Sequence, residues 1–374
     1  MWRRLFSSLT DELAGVSLLY GVMRHGGRPP RVGPAAGVAV ADLLSGDPAR
    51  TFGPAPAAAD WAAARLTLPA EKKRREAAKV AGCGAVWEFA FPTSEPTGVV
   101  ENDTVRGRVW RAADPATPRR CVLALDGIVQ AGFGNLRAFA AETCPSGIDL
   151  ATVDLPFNHR RTPAGWRPGQ LILGGDLPWV LSVLRQTARD VAAAYRGLTE
   201  SGEYPGGVAV AGISFGGWAA TQTPGLLGSV WRGEGERGGT DVPRWVCGVC
   251  PAADLLLALT DGGAVVRAAR KNLRLGAADR RRLAAVGASV RPSALPRPVP
   301  AGPAGADRVT LHAARFDRFV PNAAIQRLAA AWGAPLTWHA TGHMGLAAAP
   351  PHLRRVAADW ADDRRWAAPP PPPA

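Results

Sequence analysis

Cysteine is scarce in this chain. There are five, Cys83, Cys121, Cys144, Cys247 and Cys250, in 374 residues. So few, and an odd number, exclude a disulfide framework for a chain of this size. Cys247-Gly248-Val249-Cys250 has the spacing of a redox or zinc half-motif. No second cysteine pair or nearby histidine completes a metal site, and the apolar run Trp245–Cys250 reads as a strand with core cysteines. Also missing is any uninterrupted apolar run of transmembrane length. Asp11 and Glu12 interrupt an apolar h-region after Met1-Trp2-Arg3-Arg4, and no small-residue cleavage site follows. A cytoplasmic location is the resulting expectation. Acidic residues are outnumbered, 31 Asp and Glu against 44 Lys and Arg, for a formal charge of +13. The arginines are scattered and form no aromatic-interleaved basic face, so nucleic acid is not an expected partner.

What is present suits a large core. At 47% hydrophobic the chain is globular, long enough for one large α/β domain with insertions or two ordinary ones. Leu5, Leu9, Leu13, Val16, Tyr20 and Met23 recur at three- and four-residue steps and predict an amphipathic helix over 3–24. Docking on the main domain is the reading adopted for it; contact with a membrane surface, Arg3 and Arg4 outward, is the alternative. Residues 26–60 are dense in Gly and Pro and predict a wrapping segment. Asp60 is placed to cap a helix from Trp61, and Glu71–Glu76 is a mixed charge run expected on a solvated helix face. This makes 1–80 an N-terminal attachment, 81–362 the main domain and 363–374 a disordered Pro-rich tail.

From Ala85 strands and helices alternate. Strands are expected at Ala85–Phe91, Thr104–Trp110, Arg120–Asp126, Asp149–Leu155, Gly207–Ala211, Arg244–Val249, Val309–Ala314 and Leu336–Ala340. Helices are expected around Phe139, from about Pro178 to Leu198, after Trp218, and over Ala323–Trp332 and Leu346–Trp360. Such alternation calls for a mostly parallel eight-stranded sheet covered on both faces, its first two strands an antiparallel edge.

The chain is organised around Gly212-Ile213-Ser214-Phe215-Gly216-Gly217, between an apolar strand and a helix start. Strand, sharp turn with a central Ser, then helix is the setting of a nucleophile elbow. A serine hydroxyl needs a base within hydrogen-bond reach and an acid to orient that base. On a parallel sheet these come from loops at the carboxyl ends of later strands. Asp317 follows strand Val309–Ala314 and His343 follows strand Leu336–Ala340, in a known chain order for such a triad. Asp254, after the Cys250-Pro251 strand end, is the rival acid, and His339, inside its strand pattern, the rival base.

On three motifs the chain resembles the α/β-hydrolase superfamily over roughly residues 85–362. They are the Ser214 elbow, Phe316-Asp317-Arg318-Phe319-Val320-Pro321 and Gly342-His343-Met344-Gly345. The resemblance implies Ser214 as nucleophile, His343 as general base and then acid, and Asp317 as its orienting carboxylate. It implies an oxyanion hole from the backbone N–H groups of Phe215 and of Ile128, in the loop Asp126-Gly127-Ile128-Val129. Family members often carry His-Gly where this chain has Asp126-Gly127; a carboxylate aimed at the hole would oppose the oxyanion, so Asp126 must turn away in an active enzyme. Gly127, Arg160 and Arg161 on the same rim are candidate substrate contacts, with a structural salt bridge the alternative for the arginines. Residues 255–305 fall where the superfamily often carries a lid. The expected activity is hydrolysis of an ester, thioester or related acyl bond of a small-molecule acyl substrate, with no metal or organic cofactor. A peptidase or acyltransferase using the same triad, or a catalytically silent binding protein of the same fold, is the alternative.

Overall fold

In a computed structural model the chain is described over residues 10–11, 38–128, 130, 132–173, 177–232, 242–255, 257, 286–299 and 307–367. Nine strands form one sheet: β1 (Arg65–Leu66), β2 (Cys83–Pro92), β3 (Thr104–Ala112), β4 (Arg120–Leu125), β5 (Ile148–Val153), β6 (Val208–Ile213), β7 (Val246–Val249), β8 (Val309–Ala314) and β9 (Leu336–His339). Their spatial order is β1-β2-β3-β5-β4-β6-β7-β8-β9. The three edge pairings β1–β2, β2–β3 and β3–β5 are antiparallel, and every pairing from β5 to β9 is parallel. The ninth strand is β1, two exposed residues beside Phe89 and Glu88. It is too short to carry an apolar alternation, which is why the pattern shows eight.

The central strands β5, β6 and β7 are buried at every position, as strands covered on both faces must be. The helices used below are α1 (Ala70–Ala77), α2 (Gly134–Thr143), α3 (Leu177–Glu200), α4 (Phe215–Leu227), α5 (Asn322–Trp332), α6 (His343–Ala347) and α7 (Pro350–Ala357). Val180, Leu184 and Val191 of α3 join Phe215 and Trp218 of α4 in one core with Leu123 and Val210 of the sheet. Phe139 of α2 and Leu353 and Val356 of α7 join Val122, Ala211 and Val249 on the opposite face. The single helix expected over Leu346–Trp360 is divided into α6, α7 and a 3-10 turn, Ala358–Ala361. Pro350 and Pro351 have no N–H to continue a helix and instead occupy the first turn of a new one.

Residues 48–60 lie along α3. Arg185 donates to Thr51 O at 2.9 Å, Arg189 to Phe52 O at 3.0 Å and Arg196 to Pro56 O at 3.1 Å, while Ala59 N donates to Ala193 O. Two of these guanidiniums thus satisfy carbonyls at the end of the short helix Pro48–Phe52, and the third satisfies one in the irregular stretch that follows it. Asp60 caps a single turn, accepting from Ala63 N, rather than a helix. Glu76, expected on a solvated face, is buried; Arg108 and Arg137 pair with it at 2.9 and 3.2 Å. Lys79 joins them, and these cations hold its carboxyl at about 2 against the cost of burial. The tail begins later than expected: Asp363–Trp366 is helical, and Trp366 is buried against Trp245 at 5.7 Å between ring centroids. Apart from residues 10–11, 255, 257 and 286–299, the helix expected over 3–24 and the lid expected over 255–305 lie outside the described residues, as does the stretch after Ala367. Among the described residues no helix is long and apolar enough to cross a membrane.

Candidate active site

Ser214 stands between β6 and α4 with φ 54° and ψ −113°, a left-handed φ that a serine adopts only under strain. Its neighbours hold it there. Ser214 N donates to Val249 O at 2.8 Å, and Ser214 O accepts from Trp218 N and Ala252 N. The flanking glycines are steric necessities. A Cβ at Gly212 would land on Gly216 O, and one at Gly216 on the carbonyl oxygens of Asp126 and Leu125.

The ends of β8 and β9 bring the partners to the serine. Asp317 Oδ1 accepts from Phe319 N and Val320 N, each at 2.8 Å. Its other oxygen, Oδ2, lies 2.7 Å from His343 Nδ1. A carboxylate only accepts, so Nδ1 carries the proton and Nε2 is left as the acceptor. Nε2 is 3.0 Å from Ser214 Oγ. The three side chains form one hydrogen-bonded chain, with Asp317 fully buried and His343 nearly so. Burial pulls the His343 imidazole down, but the charge and hydrogen bond of Asp317, aided by Asp11, leave it above its ordinary 6.5.

The rivals are occupied elsewhere. Asp254 pairs with Arg291 at 2.9 Å and Arg327 at 3.4 Å and accepts from Leu257 N. His339 Nε2 meets His312 Nδ1 at 3.1 Å on the sheet. Among the described residues one group of three has metal-ligand spacing: Cys250, Asp317 and His343, their ligand atoms all within 4.8 Å of one another. It comprises the Asp317–His343 pair just described and the Cys250 thiol beside it. Burial raises that thiol well above its usual range, and Asp317 adds to the effect. Cys247 is likewise buried and raised by burial, and both are free thiols.

Gly127 lies beside Ser214, its would-be Cβ 3.5 Å from Ser214 Cβ. The N–H of Phe215, at the first position of α4, is one of the four that a helix leaves without an internal acceptor. Ile128 is half-buried against the main core. Asp126 is folded back on its own loop: Oδ1 accepts from Gly127 N at 2.8 Å and Asn135 Nδ2 at 3.0 Å. Arg161 and Arg160 are held internally. Arg161 is fully buried, 2.8 Å from Asp190 Oδ2, and donates to Asn102 O and Asp154 O. Arg160 pairs with Asp154 at 2.7 Å and Glu88 at 3.4 Å. This is the salt-bridge alternative stated above.

Burial pushes the Asp126 carboxyl up to about 6, against the hydrogen bonds from Asn135 and Gly127. Its folded pKa therefore exceeds its unfolded value, so the folded protein binds the extra proton between about pH 4 and 6. Stability owed to this group falls as pH rises through that window. Asp126→Asn keeps the accepting oxygen and removes the buried charge. It is expected to stabilise the protein by about 2–3 kcal/mol at pH 8, an effect that fades toward pH 4. Thermal unfolding at the two pH values checks it; equal effects at both would contradict it.

No family model matches the chain, and no curated protein matches it. Solved structures do. A hyperthermophilic esterase from the archaeon Pyrobaculum calidifontis is 15% identical, covering 79% of this chain and 90% of its own, at TM-score 0.47. An esterase/lipase from an uncultured bacterium is 13% identical, covering 81% of this chain and 93% of its own, at TM-score 0.46. Likeness at this level carries no argument, and the assignment rests on the chain's own strand order, its antiparallel edge and the strained turn after β6. By those features the chain has the α/β-hydrolase fold.

Proposed function

We propose that the protein is a serine hydrolase that cleaves an ester, thioester or related acyl bond through an acyl-serine intermediate. The observation that carries this reading is the unbroken chain Ser214 Oγ, His343, Asp317 at a strained turn. As substrate binds, Ser214 Oγ attacks the carbonyl carbon while its proton passes to His343 Nε2. Asp317 keeps Nδ1 protonated and stabilises the imidazolium that forms. The carbonyl oxygen takes up negative charge, facing the N–H groups of Phe215 and Ile128 beside Gly127. Collapse of the tetrahedral intermediate expels the leaving group, which takes the proton from Nε2. A water then repeats the sequence on the acyl-serine, with His343 as base and then acid again. An active enzyme requires that Asp126 not oppose the oxyanion, and the bonds of its Oδ1 to Gly127 N and Asn135 Nδ2, which fold it back on its own loop, support that reading. The chemistry uses no metal or organic cofactor.

Labelling with a fluorophosphonate probe tests the reading. Wild type is expected to label at Ser214, and Ser214→Ala and His343→Ala to remain unlabelled. Folded wild type that does not label would instead mark a binding protein.

A further inference from the structure

Thr10 and Asp11 are the described residues of the N-terminal stretch, and Asp11 is completely buried at the far end of the triad. Its Oδ2 accepts from His343 N at 2.8 Å and from Arg318 N at 3.2 Å. Its Oδ1 accepts from Met344 N at 2.9 Å. Three backbone donors from two loops thus converge on one carboxylate supplied by a residue more than 300 positions away in sequence. One loop carries the base; the other carries the acid. Gly342 is shaped to this arrangement: a Cβ there would lie 2.8 Å from Asp11 Oδ2 and 2.9 Å from Oδ1. Its φ of −85° is open to any residue, so the need for glycine comes from the carboxylate alone.

We propose that Asp11 is a positioning residue of the active site, clamping the His343 loop to the Asp317 loop and placing a second negative charge behind the imidazole. This rests on Ser214, His343 and Asp317 acting as the triad. Loops are the mobile part of such a scaffold, and α6, which His343 opens, is five residues long. Phe316 N also joins the loops through Thr341 O at 3.0 Å, but Asp11 ties them at His343 itself, and without it the 2.7 and 3.0 Å contacts of His343 lose their precision. The groups facing the imidazole are Asp317 from the β8 loop, Asp11 from the N-terminal stretch, the Cys250 thiol from the end of β7 and Ser214 Oγ. The Phe319 ring completes the surround at 5.0 Å. Of these, Asp317 and Asp11 are the charges, and both favour the protonated imidazole. Burial raises the Asp11 carboxyl, while the bonds from Met344 N and His343 N and the charge of His343 oppose the rise.

Two conservative variants of the full chain probe position and charge. Asp11→Glu keeps the charge and misplaces the oxygens. Asp11→Asn loses the charge and, because its amide nitrogen cannot accept, also loses the backbone donors on one side of the clamp. Fluorophosphonate labelling of wild type, absent in Ser214→Ala, first establishes the triad independently. The pH profile of kcat/KM on p-nitrophenyl acetate is then compared. Its acid limb is the titration of His343, whose neutral form is the base. Asp11→Glu is expected to lower kcat by about 10- to 100-fold with KM little changed and the limb unmoved. Asp11→Asn is expected to shift the limb about half a pH unit toward acid, because one of two charges favouring the imidazolium is gone. Wild-type kcat in folded Asp11→Glu, or coincident limbs for wild type and folded Asp11→Asn, would overturn the proposal. Should neither variant fold, Gly342→Ala applies the test from the opposite side. Its methyl displaces the carboxylate at an unstrained φ, so unchanged kcat there would equally overturn it.

Discussion

Ser214→Ala is expected to lower kcat on a p-nitrophenyl ester by about four to six orders of magnitude, with KM changed by far less. The oxygen removed is the one that bonds to carbon, so no neighbour substitutes for it. What remains is whatever the N–H groups of Phe215 and Ile128 and substrate binding give to attack by water. His343→Ala should fall to nearly the same floor, because without Nε2 the serine proton has no acceptor at 3.0 Å. The double variant should be no slower than either single one, since the residues act as a unit. Asp317→Asn is expected to cost about 10⁴-fold, because an amide at the Nδ1 contact favours the wrong tautomer. Ser214→Ala should melt within a degree or two of wild type. It leaves no buried charge behind, and alanine must adopt the same φ of 54° as serine. Steady-state kinetics beside thermal unfolding decide the matter. Losses that multiply in the double variant, or a Ser214→Ala enzyme within tenfold of wild type, would exclude an acyl-serine route.

The parts of this site that were legible in the sequence are those encoded locally. The Ser214 turn announces itself because Gly212, Gly216 and Gly217 are placed where backbone crosses backbone, within six residues of one another. Asp317 and His343 follow short apolar strands, and a strand followed by a polar loop is a pattern a few residues long. The illegible parts are tertiary. Asp11 reads only as an interruption of an apolar stretch, because the donors that it serves are contributed from Arg318, His343 and Met344. Glu76 sits in a run of charges whose composition suits water, yet Arg108 from β3 and Arg137 from α2 reach over it. Cys250 has a φ of 45° and a thiol close to Asp317, neither of which the strand pattern containing it can express. The two-residue strand β1 fails for a simpler reason: it has no period to detect.

The arginine pair after β5 shows the same limit with a larger energetic consequence. Sequence alone places Arg160 and Arg161 on the catalytic rim with substrate contact as one of two readings. The structure turns Arg161 inward, where its partner Asp190, on α3, is itself fully buried. Burial pushes the Asp190 carboxyl up, and the charge of Arg161 and the hydroxyl of Thr93, 2.6 Å away, oppose that rise. Arg161→Met leaves Asp190 without its counter-charge and leaves Asn102 O and Asp154 O without these donors. It is expected to destabilise the protein by about 3–5 kcal/mol. Adding Asp190→Asn should recover a substantial part of the loss, because the stranded charge, rather than the missing pair, dominates the cost. Chemical denaturation of the two singles and the double measures this coupling. In whatever fraction stays folded, preference between anionic and neutral esters should match wild type, since no guanidinium of Arg161 reaches the rim. A well-folded Arg161→Met protein with altered ester preference would restore the substrate-contact reading and remove the structural one.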